Sequence, residues 1–200
     1  MKDKIQKTAL ELFKKHGIHY VSLDLIAKSL GISKKTIYNH FKNKEEIVHR
    51  CIEQYFEERT VQNDAILEEA EHTIEALVKV IKSSLKHTAR INPLMFEEII
   101  RYYPEVSSLI TEKHYSKRYI RLREMIEQGK KEGLFKKHIN SDIMAKVFLS
   151  QINLTMDYDT FPLDEYSRED LVEHIFFSFI SGISTYKGQA VITEYLEEHG

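Results

Sequence analysis

Between Ser33 and Glu45 the chain sets out Lys34, Lys35, Thr36, Tyr38, Asn39, His40 and Lys44. Cationic or short side chains in the first turn of a helix are the groups that reach base edges in a major groove. Lys34, Lys35 and Thr36 fill such a turn, and Asn39 follows one turn later on the side of Lys35 and Thr36. Donors further along fix register on phosphate oxygens without reading sequence. Tyr38 and His40 each offer one on a rigid ring. Lys44 adds a cation where the next helix begins, beside amides that themselves favour phosphate. Each residue alone is ordinary on a solvated helix. The set, at this spacing, points to a polyanion.

The charge distribution agrees. The chain has 200 residues with 29 Lys+Arg and 31 Asp+Glu, a formal net charge of −2. Residues 1–50 hold eleven basic side chains against five acidic, a net of +6, while the remaining 150 hold 18 against 26, a net of −8. A basic quarter on an acidic body suits one small module that meets nucleic acid. Hydrophobic residues at 42% and charged residues at 30% fit a globular chain and not a disordered one. No apolar run reaches the roughly 18 residues of a membrane span, and no apolar segment follows the charged start Met1–Lys7. The expectation is therefore a cytoplasmic protein without a membrane. A single cysteine, Cys51, excludes an internal disulfide and a cysteine-built zinc site.

Seven glycines and three prolines are too few for the turns of a strand-rich fold. The 3.6-residue period between them predicts an all-α chain. A first helix runs from Lys2 to about His16, with Ile5, Ala9, Leu12 and Phe13 on its apolar stripe and Gly17 at its end. Ser22 caps a second helix, Gly31 breaks it, and Ser33 caps a short third helix through His40, a helix-turn-helix pattern. Asn43 caps a fourth helix to about residue 60, and a linker or boundary follows between Gln62 and Thr73. Further helices are expected over 73–90, from Asn92-Pro93, from Tyr103-Pro104 to an end marked by Gly129 and Gly133, over 141–156 with Ser141 as cap, from Ser167 to about Tyr186, and over 191–196. Cys51 reads as a small core residue.

The colinear set Ala9-Leu10-Glu11-Leu12-Phe13, Gly17, Ile26-Ala27, Leu30-Gly31-Ile32-Ser33, Thr36-Ile37-Tyr38-Asn39-His40-Phe41 and Lys42-Asn43-Lys44-Glu45 resembles the DNA-binding domain of the tetracycline-repressor (TetR) family. The resemblance covers residues 1–50 in sequence and the rest only in helix order and length. It implies a three-helix DNA-binding domain over residues 1–45 and a helical ligand-binding and dimerisation domain over 46–200. It implies phosphate contacts from Tyr38, His40 and Lys44, contacts to bases or nearby phosphates from Lys34, Lys35, Thr36 and Asn39, and a double duty for Ser22 as cap and phosphate contact. Ile37 and Phe41 are core. The implied partner is double-stranded operator DNA, and the implied activity is that of a repressor released by a small molecule.

One reading helix contacts too few base pairs for useful specificity, so a homodimer is expected. Its interface is expected in the last two long helices, where Leu171, Ile175, Ser178, Gly182 and Tyr186 share a face and Val147 sits on a helix too apolar for solvent. The resemblance also implies an effector pocket. Phe96, Tyr103, Tyr115, Tyr119 and Gln151, aromatic or polar on otherwise apolar faces, are its candidate lining, although ordinary core packing accounts for any one of them. No phosphate loop, His-Glu-x-x-His or Gly-x-Ser-x-Gly is present, and the ten histidines are scattered. No enzyme, metal or cofactor is expected. A helical small-molecule or protein-binding module without promoter control is the alternative.

Overall fold

The computed structural model describes residues 1–155, 157, 159–162 and 164–199, with the side chains of 109–111, 113, 196, 198 and 199 left aside. The described residues form the helices α1 (Lys2–His16), α2 (Leu23–Leu30), α3 (Lys34–Tyr38), α4 (Lys44–Glu69), α5 (Thr73–Thr88), α6 (Leu94–Tyr102), α7 (Pro104–Lys131), α8 (Ser141–Leu154), α9 (Arg168–Ile183) and α10 (Tyr186–His199). The all-α expectation holds among the described residues. Their one β feature is an isolated bridge between Phe135 and Ser184.

Several helix ends differ from the sequence reading, each for a local reason. The acidic stretch after Gln62 does not break α4, which continues to Glu69. Arg59, buried in this helix, donates to Gln62 at 2.7 Å, just before that stretch. Asn140, not Ser141, caps α8: its side chain accepts from the Asp142 and Ile143 amides at 2.9 and 3.2 Å. Ser141 instead sits inside the first turn and donates to Glu127. The last helix starts at Tyr186, well before residue 191. Met156, the expected end of the 141–156 helix, lies outside the described residues.

The chain divides into two compact units. The first holds residues 1–62 and 87–115, so the helix-turn-helix shares its unit with the end of α5, all of α6 and the start of α7. Its core gathers Ile5, Phe13, Ile18, Ile26, Ile37, Phe41, Ile47 and Ile52 with Met95 and Ile99 of α6. Cys51 belongs to this core, and burial pushes its thiol up to about 12. At neutral pH it is a protonated, unreactive core group.

The second unit holds residues 63–86 and 116–200. Its core is built from Ile74, Leu77, Leu122, Ile126, Phe135, Phe148, Phe176 and Ile180. The Phe148 ring lies 4.7 Å from Phe176 and 5.1 Å from Phe179, centroid to centroid. α7 ends at Lys131, between the two glycines: Gly133, φ 72°, follows its last turn, while Gly129 lies inside it with the edge of the fully buried Phe135 ring against where its Cβ would be. The α7–α8 connection is pinned by Lys136 N donating to Ile183 O and Thr185 N to Leu134 O, both 2.9 Å.

Candidate nucleic-acid interface

The two helices of the motif are set by their caps. Ser22 Oγ accepts from the Leu25 amide at 3.1 Å and starts α2. Gly31 ends it in the left-handed region, φ 64°, which glycine adopts without steric cost. Ser33 Oγ accepts from the Thr36 amide at 3.1 Å and starts α3. Ile37 and Phe41, fully or nearly fully buried, fix the rotation of α3 on the core. What faces outward is therefore determined by what is driven inward.

α3 ends at Tyr38, two residues earlier than expected, and Asn39 and His40 follow in a tight turn closed by His40 N to Ile37 O at 2.9 Å. Lys35, Tyr38 and Asn39 are exposed, with Tyr38 at 52%; Thr36 and His40 are half-buried. An exposed tyrosine with no core to join carries an available hydroxyl. Thr36 Oγ1 shares a hydrogen bond with Ser33 Oγ at 2.9 Å, which holds its side chain against the helix start.

Two of the lysines are not loose. Lys34 Nζ lies 2.8 Å from Asp24 of α2, and that hydrogen bond to a carboxylate holds its ammonium above the usual lysine range. Asp24 is a residue that the sequence reading passed over. Lys44 Nζ donates to Ile18 O at 2.6 Å and to His19 O at 3.5 Å, and burial lowers its pKa. Asn43 Oδ1 accepts from the Glu46 amide at 2.8 Å and Glu46 Oε2 from the Lys42 amide at 2.8 Å, so the start of α4 is capped from both directions. On the inner side of the same region the Glu98 carboxylate of α6, 8% exposed, accepts from the amides of Ile18 and, at 3.0 Å, His19. A carboxylate beside Met95 and Ile99 on the buried stripe of α6 was the sequence signal for this contact.

Of the five effector-pocket candidates, Phe96, Tyr103 and Tyr115 belong to the first unit and Tyr119 and Gln151 to the second. Phe96 and Tyr103 pack against the core of the first unit, Phe96 with its ring 6.3 Å from Tyr55, and Tyr115 is exposed. In the second unit Tyr119 donates to Asp142, with Lys146 Nζ 5.7 Å from its ring centroid. That hydrogen bond holds the Tyr119 hydroxyl above its usual range and the Asp142 carboxyl below its own. Gln151 lines a shallow groove of about 510 Å³ on α8 with Ile143, Val147 and Leu154. A larger open groove of about 860 Å³, lined among others by His72, Arg121, Arg123 and Glu124, contains none of the five.

Of the residues proposed for a dimer seam, Ser178, Gly182 and Tyr186 are exposed, Tyr186 at 94%, and a Cβ on Gly182 would meet nothing within 4 Å. Ile175 is half-buried and Val147 is exposed next to Ile143 and Leu154. Leu171 is already buried within its own unit. No helix among the described residues is long and apolar enough to cross a membrane.

Comparison with known proteins bears directly on this site. Residues 5–51 match the model of bacterial regulatory proteins of the tetR family. The negative transcriptional regulator IcaR of the biofilm operon icaADBC from Staphylococcus epidermidis is 31% identical over 128 residues, 52% of this chain and 69% of that protein. The transcriptional regulator UidR from Escherichia coli is 26% identical over 183 residues, covering 90% of this chain and 87% of its own length. The fold of a transcriptional regulator from Saccharomonospora viridis in complex with choline superposes with a TM-score of 0.76 at 21% identity, covering 92% and 97% of the two chains. The motif, the helical body and these matches define a helix-turn-helix transcriptional regulator. The chain belongs to the TetR family.

Proposed function

We propose that the chain is a homodimeric repressor that binds double-stranded operator DNA through α3 and the start of α4 and is released by a small-molecule effector. The observation that carries this reading is the α3 surface: exposed Lys35, Tyr38 and Asn39 beside half-buried Thr36 and His40, on a helix whose rotation Ile37 and Phe41 fix. Lys35, Thr36 and Asn39 take the base-reading positions, with Lys34 beside them. Tyr38, His40, Ser22 and the remaining Lys44 proton take phosphates. Negative regulation by the similar IcaR supports repression. The choline held by a protein of the same fold supports an effector site in residues 46–200, with Phe96, Tyr103, Tyr115, Tyr119 and Gln151 as its candidate residues.

Release follows from linkage. An effector that prefers a dimer shape with the wrong spacing of recognition helices weakens DNA binding, and DNA weakens the effector by the same factor. A coupling of about 1–3 kcal/mol suffices, and no contact between effector and DNA is required.

Two substitutions separate the proposed roles. Tyr38→Phe removes one phosphate hydrogen bond and is expected to weaken every duplex by the same factor, roughly 2- to 10-fold. Lys35→Ala is expected to change the ranking of operator variants, by about 1–3 kcal/mol at the base it reads. Both are measured by fluorescence anisotropy on a panel of operator variants. Uniform weakening by Lys35→Ala would remove it from the base-reading set.

A further inference from the structure

The start of α4 and the turn between α1 and α2 meet at a single peptide group. Ile18 O accepts from Lys44 Nζ at 2.6 Å, and the N–H of that same peptide, His19 N, donates to Glu98 Oε2 at 3.0 Å. Glu98 Oε2 also accepts from the preceding amide, Ile18 N. A cation thus sits on the oxygen of the peptide and an anion on its hydrogen, so each polarises it in the direction that strengthens the other bond. Glu98 is 8% exposed and Ile18 is fully buried, so the arrangement works in low dielectric where such coupling is strong.

The surroundings leave the turn little freedom. Gly17, φ 78°, brings its backbone against the Glu98 carboxylate: a Cβ there would lie 3.1 Å from Oε2. The start of α6 is tied to the end of α1 by Asn92 N donating to Lys14 O at 2.7 Å. Burial disfavours the charged form of Lys44, and the Glu98 charge works against that effect. An ammonium has three protons, and two of those of Lys44 go to Ile18 O and His19 O. The third is left for a phosphate.

We propose that Glu98 is a positioning residue for DNA binding, which acts through the Ile18–His19 peptide to hold the Lys44 ammonium, charged and oriented, at the start of α4. The inference rests on the reading of Lys44 as a phosphate contact. Glu98 itself touches no DNA; its effect reaches the duplex through Lys44 alone, and so it carries no base information.

The test is a double-mutant cycle on the full chain with Lys44→Met, Glu98→Gln and the pair, read by anisotropy on a selected operator and a scrambled duplex. Glu98→Gln keeps shape and removes charge, and is expected to weaken both duplexes by a common factor of about 3- to 10-fold. In the Lys44→Met background the same change is expected to cost less than about 2-fold. A loss that multiplies in the double variant would overturn the relay and leave Glu98 as a general structural residue. Unchanged DNA binding by Lys44→Met would instead overturn the phosphate reading of Lys44, and the relay with it. Should Glu98→Gln unfold the unit, Lys44→Met carries the test: loss of the cation is expected to move the His19 amide proton resonance upfield, and an unmoved His19 resonance overturns the proposal.

Discussion

Replacing Gly182 by leucine is expected to dissociate the homodimer while leaving the helical content of each chain unchanged. Within one chain the position is open: beyond its own helix nothing lies within 4 Å of where a Cβ would be, so a side chain there starts into open space. The exposed Ser178 one turn earlier is also small, so a partner helix is expected to come close to α9 at this level. A leucine forced into such a seam costs about 1–3 kcal/mol, and two-fold symmetry places it in the interface twice. The dimer Kd is then expected to rise by roughly 30-fold or more. Sedimentation velocity reads the mass and circular dichroism the helix content. An unchanged dimer with an intact fold would place the interface away from α9.

The second large effect is on stability. Phe135→Ala is expected to cost about 3–5 kcal/mol, because a fully buried ring is lost from the core of the second unit. For a chain of this size that corresponds to a fall in Tm of roughly 6–20 °C. Its partner position makes the sharper test. Gly→Ala inside a helix ordinarily stabilises by about 1 kcal/mol, yet Gly129→Ala places a Cβ within clashing distance of the Phe135 ring edge. The expected result is a loss of about 1–3 kcal/mol instead of a gain. Thermal melting of both variants decides it, and stabilisation by Gly129→Ala would show that the ring has room to move.

The DNA-facing motif was legible in the sequence because its signals are local. Ser22, Ser33 and Asn43 accept from amides three residues on, and the Gly31 N–H donates to carbonyls three and four residues back, so each cap or breaker sits beside the element it defines. The core faces of α1, α2 and α3 follow from one period and held for the same reason. What the sequence did not disclose depends on residues far apart. Lys44 reads as a free cation until Ile18, 26 positions away, is brought to it. Glu98 reaches the same turn across 80 positions. Gly129 reads as a helix end because the ring of Phe135 that fills its missing side chain arrives only when the chain folds back. The pocket candidates divide between the two units, and composition alone does not assign an aromatic residue on an apolar face to either.

Paired α3 helices are expected to recognise duplex DNA sequence-specifically. Selection of the full chain against a random duplex library, followed by anisotropy titration of the enriched sequence at several salt concentrations, tests this most directly. Two symmetric half-sites are expected, with centres about one helical turn, roughly 34–36 Å, or a multiple of it apart. The enriched duplex is expected to bind at least about 10³-fold more tightly than a scrambled one, with log affinity falling linearly against log salt. A library that yields no symmetric site, with enriched and scrambled duplexes bound equally, would contradict it.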